Sequence, residues 1–203
     1  MPPPLFCKPL PGMLDYEILF LLIDKDLNGT IAFRSLSLSN DMDTLHDWVN
    51  QPYTRRYWQL NENKESLIST YRTVLDNPLA HSFIGLFNNN IVCQIDCYNV
   101  AADELKDHVE VTPGNCGLHI LMLPPRKSQK GLTESMLKAF IKFYFSFSAA
   151  EILFGEPDAR NSAANLAAKR SGFSYQRTIT LSYKTANLYA ITKTQFHEAN
   201  PII

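Results

Sequence analysis

The stretch Leu118–Phe147, LHILMLPPRKSQKGLTESMLKAFIKFYFSF, decides the fold class of this chain. Apart from one histidine, its first six residues are apolar, which predicts a buried strand that Pro124-Pro125 ends. A basic loop follows at 126–130. Apolar residues at helical spacing then predict a long helix from Thr133 to about Phe147. The stretch is therefore a strand, a loop and a helix in immediate succession.

Further strands and helices are predicted on both sides of this stretch. Before it, we expect strands at Tyr16–Ile23 and Thr30–Ser37, helices from Ser39 or Asn40 to Asn50 and at Lys64–Leu75, and strands at Phe83–Phe87 and Ile91–Tyr98. A polar, acidic connection occupies Ala101–Gly114. After it, we expect a strand at Glu151–Phe154, a helix at Asn161–Ser171 with Gly172 as its C-cap, and strands at Phe173–Leu181 and Asn187–Thr192. This order predicts a mixed α/β domain whose ligand binds at the carboxyl ends of the crossover strands.

Composition narrows the class of protein. The chain has 203 residues, 45% of them hydrophobic and 11% aromatic, which is enough for a sizeable core. We predict a single domain over 1–203, with an irregular proline-rich arm at 1–12. The net charge of −1 offers no basic stripe, so we expect no nucleic-acid partner.

The cysteines and the apolar runs bear on location. Cys93 and Cys97 share one strand face and lack a paired C-x-x-C motif, so we expect reduced cysteines that pack as small apolar residues and no metal site. Ile18–Ile23 is too short to span a bilayer, and the first residues show no charged and then apolar leader. We therefore expect a cytoplasmic protein with no membrane partner.

The loop after the apolar strand carries a first family resemblance. Arg126-Lys127-Ser128-Gln129-Lys130-Gly131 resembles the phosphate-binding loop of the GNAT acyltransferase superfamily, Arg/Gln-x-x-Gly-x-Gly/Ala, with Gln129 where the first glycine is expected. Such a loop points backbone amides at the pyrophosphate of coenzyme A from a helix N-terminus. A basic loop before a helix is also typical of solvated protein surface. Its place between a strand and a helix is what favours a phosphate-binding loop here.

Motifs in the second half resemble the siderophore-biosynthesis branch of that superfamily, which acylates N-hydroxylysine, N-hydroxyornithine or N-hydroxydiamines. They are Gly117-Leu118-His119, Glu156-Pro157-Asp158-Ala159-Arg160-Asn161, Gly172-Phe173, and Lys184-Thr185-Ala186-Asn187-Leu188 with Phe196. Trp48-Val49-Asn50 with Trp58, and Gln94 to Tyr98, resemble earlier segments of the same branch. The resemblance covers about Thr30 to Phe196. It implies a GNAT fold, a mostly antiparallel twisted sheet that splays between the family's fourth and fifth strands, with helices on both faces.

The resemblance also implies roles for individual residues. His119 and Asp158 are expected as the acid/base pair, since histidine titrates near the operating pH. Acetyl-CoA or another acyl-CoA is the expected co-substrate, without a metal. Its expected binding residues are Ile120, Leu121, Met122, Arg126, Lys127, Gln129, Lys130, Gly131, Leu132, Thr133, Asn161 and Asn165. The expected acceptor residues are Trp58, Gln94, Asp96, Tyr98 and Lys184, with Asp96 suited to an ammonium and Lys184 to a carboxylate.

Other interpretations stay open at this level. His119 also fits a hydrogen-bonded core histidine, and Asp158 also fits a helix cap. Aminoglycoside and protein N-terminal acetyltransferases share the fold, although an aminoglycoside pocket needs an acidic lining, and acidic residues concentrate only at 103–110. A non-catalytic acyl-CoA-binding module is a third possibility, which Gln129 favours. The acyl group and the N-hydroxyamine (of lysine, putrescine or cadaverine type) are not fixed, and a monomer or weak homodimer is expected.

Overall fold

A computed structural model describes residues 3–58, 63–124 and 129–199. Its strands are β1 (Ile18–Asp24), β2 (Gly29–Ser35), β3 (Ala80–Phe87), β4 (Asn90–Asn99), β5 (Asn115–Met122), β6 (Ile152–Gly155), β7 (Ser174–Leu181) and β8 (Lys184–Thr192). Its helices are α1 (Met42–Val49), α2 (Pro52–Arg55), α3 (Lys64–Asp76), α4 (Leu132–Phe145), α5 (Ser162–Arg170) and α6 (Lys193–Ala199). Two short 3-10 helices, Val100–Ala102 and Glu104–Asp107, lie between β4 and β5.

The eight strands form one mixed sheet in the order β1-β2-β3-β4-β5-β6-β8-β7. Neighbouring strands pair antiparallel except β5 and β6, which are parallel because α4 carries the chain from the end of one to the start of the other. The predicted mixed α/β class is therefore confirmed.

The core is strongly aromatic beneath α4. Phe140 and Phe143 of this helix pack against Phe33 of β2 and Phe83 of β3, with ring centroids 5.4 to 6.2 Å apart. Such aromatic pairs stabilise a core beyond the area that they bury. They fix α4 against β2 and β3.

The turns between β1 and β2 and between β3 and β4 have backbone geometry that suits their residues. Asn28, Asn88 and Asn89 all have positive φ, the region that asparagine tolerates better than most residues. The C-cap of α5 is Ser171, one residue before the predicted Gly172. Gly172 follows it with a φ of 101°, where a residue with a Cβ would be strained, so glycine is needed at this helix end.

The proline-rich arm packs onto the domain, although it has no strand or helix in its described part, 3–12. Leu5 and Cys7 are buried in the main core. Lys8 Nζ donates to the backbone carbonyls of Leu75, Asn77 and Ala80, which ties the arm to the end of α3. All four cysteines are buried and free, as expected of apolar packing residues.

Candidate active site

A cleft opens where β5 and β6 stop pairing. Their register runs from Asn115 opposite Ile152 to Leu118 opposite Gly155, and no pair follows among the described residues. Beyond this point lies a cavity of about 1020 Å³, lined by the end of β5, the start of α4, the β6–α5 connection and α2. The residues that follow the last pair are His119, on β5, and Glu156, directly after β6. These two side chains therefore lie at the apex of the opening.

His119 and Glu156 form an ion pair across this apex. Glu156 is 1% exposed, and its Oε1 accepts a short hydrogen bond from His119 Nε2. The same oxygen accepts a hydrogen bond from the Tyr98 hydroxyl at 3.1 Å and lies 3.5 Å from Lys184 Nζ. Since an ionised carboxylate only accepts hydrogen bonds, the proton of this pair lies on Nε2.

Each partner changes the pKa of the other. Burial alone would lower the pKa of His119, but the charge and hydrogen bond of Glu156 outweigh burial, and the pKa is raised above 6.5. Burial alone would raise the pKa of Glu156. The neighbouring charges of His119 and Lys184 and the hydrogen bonds outweigh it and hold this pKa at about 2. The carboxylate therefore stays ionised at neutral pH and stabilises a protonated His119.

Asp158 lines the same cavity as His119, but its contacts are with Arg160. Its two carboxylate oxygens accept hydrogen bonds from Arg160 Nε at 3.0 Å and from an Arg160 terminal nitrogen at 2.8 Å. The hydrogen bond from the Arg160 side chain is the main reason why the pKa of Asp158 is lowered to about 2. His119 and Asp158 thus face one cavity, while the direct partner of His119 is Glu156.

Most of the residues expected at coenzyme A line the large cavity. They are Ile120, Leu121, Met122, Gln129, Lys130, Thr133 and Asn161. Gly131 is the N-cap of α4, with a φ of 85°. The cavity thus meets the N-terminus of a 14-residue helix, where free amides and the helix dipole suit a pyrophosphate.

Two of the expected coenzyme A residues lie elsewhere. Leu132 is 3% exposed and belongs to the core. The Asn165 amide nitrogen donates to the carbonyls of Asp158 and Asn161, and its oxygen accepts from Asn187 and Tyr189, so its hydrogen-bonding capacity is used within the fold. Neither residue lines the cavity. Arg126 and Lys127 lie outside the described residues.

A second, smaller cavity adjoins His119 on the β4 side. It has a volume of about 210 Å³ and is lined by Thr73, Val74, Asn77, Ala80, Asp96, Tyr98, Ala102, Asp103 and His119. Asp96 lies directly opposite His119 in the β4–β5 register. Burial raises the pKa of Asp96 to about 6, against the opposing influence of His119 and of hydrogen bonds. The lining contains two carboxylates and, in the described part of the chain, no lysine or arginine.

The remaining acceptor residues fall in different places. Trp58 packs edge-on against the His119 ring at 6.1 Å and lines the large cavity, as does Lys184. Gln94 lines neither cavity, because it is fully buried and its amide donates to Ser82 and Asp96. Its geometry therefore assigns it to holding Asp96 in place.

Sequence reasoning missed three contributors to the site. Glu156 was seen only as part of a motif, although its position directly before Pro157 and Asp158 at the end of a strand was a signal. Asp103 lies in a connection that looked like plain loop. In α2, Tyr53 donates through its hydroxyl to the Met122 carbonyl at 2.7 Å and lines the large cavity.

Over 3–58, 63–124 and 129–199, no group of three or more His, Cys, Asp or Glu side chains is placed to hold a metal ion. Within the same ranges, no helix is long and apolar enough to cross a membrane.

A sheet that splays at one parallel pair, with a helix N-terminus and an ionised dyad at the opening, defines a coenzyme A-dependent acyltransferase. The family model of the GNAT acetyltransferase domain matches residues 37–181, and the chain belongs to that family. The enzyme accordingly transfers an acyl group from coenzyme A to nitrogen. The family match and the single parallel pair in the sheet confirm the resemblance and the fold inferred from sequence.

Similar proteins include two curated relatives and a solved structure. N-hydroxyputrescine acetyltransferase of Acinetobacter baumannii is 25% identical over 191 residues, which cover 94% of this chain and 88% of the relative. Lysine N-acyltransferase MbtK of a Mycobacterium species is 21% identical over 165 residues, 80% of this chain and 67% of the relative. Aminoglycoside acetyltransferase AAC(6')-Ib in complex with coenzyme A superposes with a TM-score of 0.75 at 19% identity, over 83% of this chain and 98% of that one.

Proposed function

We propose that this enzyme acylates the hydroxylated nitrogen of an N-hydroxyamine and so forms a hydroxamate for siderophore biosynthesis. One observation carries the proposal: His119 lies in the wall between two cavities. The larger cavity fits the acyl-CoA co-substrate, and the smaller fits a short acceptor whose reactive nitrogen reaches His119. The similarity to an N-hydroxyputrescine acetyltransferase over 94% of the chain supports the same conclusion.

The size and charge of the smaller cavity favour a short aliphatic amine. Its volume of about 210 Å³ lies below the ~300–1,000 Å³ of pockets that hold drug-sized ligands, so it suits a linear diamine better than a multi-ring aminoglycoside. Asp96 and Asp103 line it and complement the distal ammonium of an N-hydroxyputrescine or N-hydroxycadaverine. We infer that an acceptor of this kind binds better than N-hydroxylysine, whose carboxylate would face these aspartates.

The chemistry of the hydroxylated nitrogen suits the dyad. An N-hydroxyamine is much less basic than an alkylamine, so it reaches the site largely neutral at pH 7. His119 then has only to remove one proton as the nitrogen attacks the thioester, and Glu156 stabilises the imidazolium that forms. Backbone amides around Ile120 to Met122 are proposed to hold the pantetheine and polarise the thioester carbonyl.

The same proposal covers the setting of the enzyme. We place it in the cytoplasm, where acyl-CoA is available, and in iron acquisition. We propose small molecules as its partners, neither nucleic acid nor a membrane, and a monomer or weak homodimer as its working form. His119 and Asp158 are the residues that we assign to catalysis.

Coenzyme A thiol release tests this function. Purified enzyme is offered acetyl-CoA or succinyl-CoA with N-hydroxyputrescine, N-hydroxycadaverine and N-hydroxylysine, and each parent amine serves as the matched control. We expect kcat/KM for the preferred N-hydroxyamine to exceed that for its parent amine by orders of magnitude at pH 7. Equal turnover of both forms would contradict the proposal and favour a polyamine or aminoglycoside acetyltransferase. Coenzyme A binding without turnover of any amine would indicate a non-catalytic module.

A further inference from the structure

Glu156 holds an unusual position for a buried carboxylate. It is the first residue after β6 and the first beyond the last β5–β6 pair, so the splay of the sheet brings it against His119. Backbone pairing in the parallel seam fixes both strands up to Leu118 and Gly155. The two side chains therefore meet because of the sheet register, without depending on a mobile loop.

The donors around Glu156 converge on one oxygen. Oε1 accepts hydrogen bonds from His119 and Tyr98 and lies 3.5 Å from Lys184 Nζ. Oε2 is buried and has no hydrogen-bond partner among the described residues. The charge of this carboxylate is therefore compensated through Oε1, and the contact with His119 is the shortest of the three.

We propose that Glu156 is the positioning residue of the reaction: it binds His119 Nε2–H and thereby makes His119 Nδ1 the nitrogen that exchanges protons with the substrates. This rests on the proposed function for the role of His119 as the base and for the identity of the acceptor. A neutral imidazole carries one N–H and one lone pair, so fixing the proton on Nε2 places the lone pair on Nδ1. The carboxylate orients the ring and is not itself protonated.

The proton balance of the reaction follows from this arrangement. The acceptor nitrogen attacks the thioester carbonyl carbon, forms the C–N bond and loses its proton to His119 Nδ1. The C–S bond then breaks, and the thiolate of coenzyme A takes that proton back from His119. His119 ends neutral, and Glu156 balances its charge only between the two transfers.

The groups that face His119 act on it in opposite directions. Glu156 and, more weakly, Asp96 raise its pKa, whereas burial and the Lys184 ammonium lower it. Tyr98 also faces the ring and stays protonated, because burial and then Glu156 raise its own pKa. Removing Glu156 or Lys184 should therefore move the titration of His119 in opposite directions.

The test compares Glu156→Gln with Lys184→Met in kcat/KM against pH, using whichever amine the wild-type enzyme turns over. The wild-type profile should rise with pH as His119 loses its proton. In Glu156→Gln this rise in kcat/KM should move to lower pH. The kcat of this variant should also fall at least about tenfold, which is part of the ~10²–10⁴-fold typical of acid-base assistance. In Lys184→Met the rise should move to higher pH. Glu156→Asp, which keeps the charge, should restore the rise toward its wild-type position.

Two results would overturn the proposal. One is a folded Glu156→Gln variant in which kcat and the pH dependence of kcat/KM are unchanged. The other is a rise in kcat/KM that moves in the same direction along the pH axis in both variants. Melting temperature and coenzyme A binding establish that each variant is folded. ¹⁵N NMR of wild-type His119 tests the tautomer without any substitution: a lone pair on Nε2 in the neutral ring also overturns it. The pH profiles can be measured with any amine that the enzyme accepts. This test therefore remains valid even if the enzyme does not prefer N-hydroxyamines.

Discussion

Replacing His119 with alanine should damage stability and catalysis together, for separable reasons. The change removes the closest hydrogen-bond donor of the Glu156 carboxylate, and Glu156 is only 1% exposed. Breaking a buried ion pair from one side costs about 3–5 kcal/mol. Because Tyr98 and Lys184 still contact Oε1, we expect the lower end, about 3 kcal/mol, which for a chain of this size lowers Tm by about 6–12 °C.

The rate per folded molecule should fall by about 10²–10⁴-fold, the usual contribution of a general base. Thermal unfolding measures the first effect, and kcat below the variant's melting transition measures the second. The matched control is the double variant His119→Ala/Glu156→Gln, which removes the unpaired charge. It should recover much of the stability and none of the rate.

Two results would refute this reasoning. A folded His119→Ala enzyme that keeps more than about a tenth of wild-type kcat would mean that His119 is not the base. A double variant less stable than His119→Ala would mean that the buried charge of Glu156 is compensated by groups other than His119.

Three further changes test other parts of the site. Gly131→Asp should abolish coenzyme A binding in calorimetry, because it puts a negative charge and a strained positive φ at the N-terminus of α4. Gly131→Ala controls for the backbone strain. Unchanged coenzyme A affinity in Gly131→Asp would refute the binding site. Asp96→Asn should raise KM for a diamine acceptor. It should also raise stability by up to about 3 kcal/mol at pH 7, since a carboxyl whose pKa is raised from 3.8 to about 6 costs stability increasingly as pH rises through that window; a lower Tm would contradict this. Asp158→Asn should lower kcat but shift Tm by only a few degrees, because Arg160 is 68% exposed in their ion pair; kcat within twofold of wild type would reduce Asp158 to an anchor for Arg160.

The elements with strong periodicity could be predicted from sequence. The apolar run at Leu118 and the helix that follows appear as β5 and α4, with ends shifted by up to three residues. Short elements without a pattern of their own escaped: α2 has four residues and α6 has no buried residue, so neither shows an apolar stripe. Elements this short or this exposed have too few periodic apolar positions for the sequence pattern to predict them.

The site could be predicted less completely than the fold. His119 was found because its motif and its strand both marked it. The sequence also predicts Asp158 at the same cleft, and Asp158 does line the cavity with His119. The direct contact of His119 with Glu156 could not be predicted, because only the β5–β6 register shows that Glu156 is the residue facing His119. The small cavity likewise brings Asp103 into one lining with Asp96, which no pattern within Ala101–Gly114 indicates.

The seam between β5 and β6 bears on hydrogen exchange between backbone amides of the sheet and solvent. Over the part of the chain that the structure describes, four residue pairs join β1–β5 to β6–β8 along this seam, and the edge of β5 beyond Leu118 does not pair with β6. A pantetheine arm that hydrogen-bonds to this edge would take the place of the missing strand. Bound co-substrate would then occupy the position of a strand at this edge. Hydrogen exchange at those amides from Ile120 to Met122 that point away from β4 would therefore report whether the cleft is occupied.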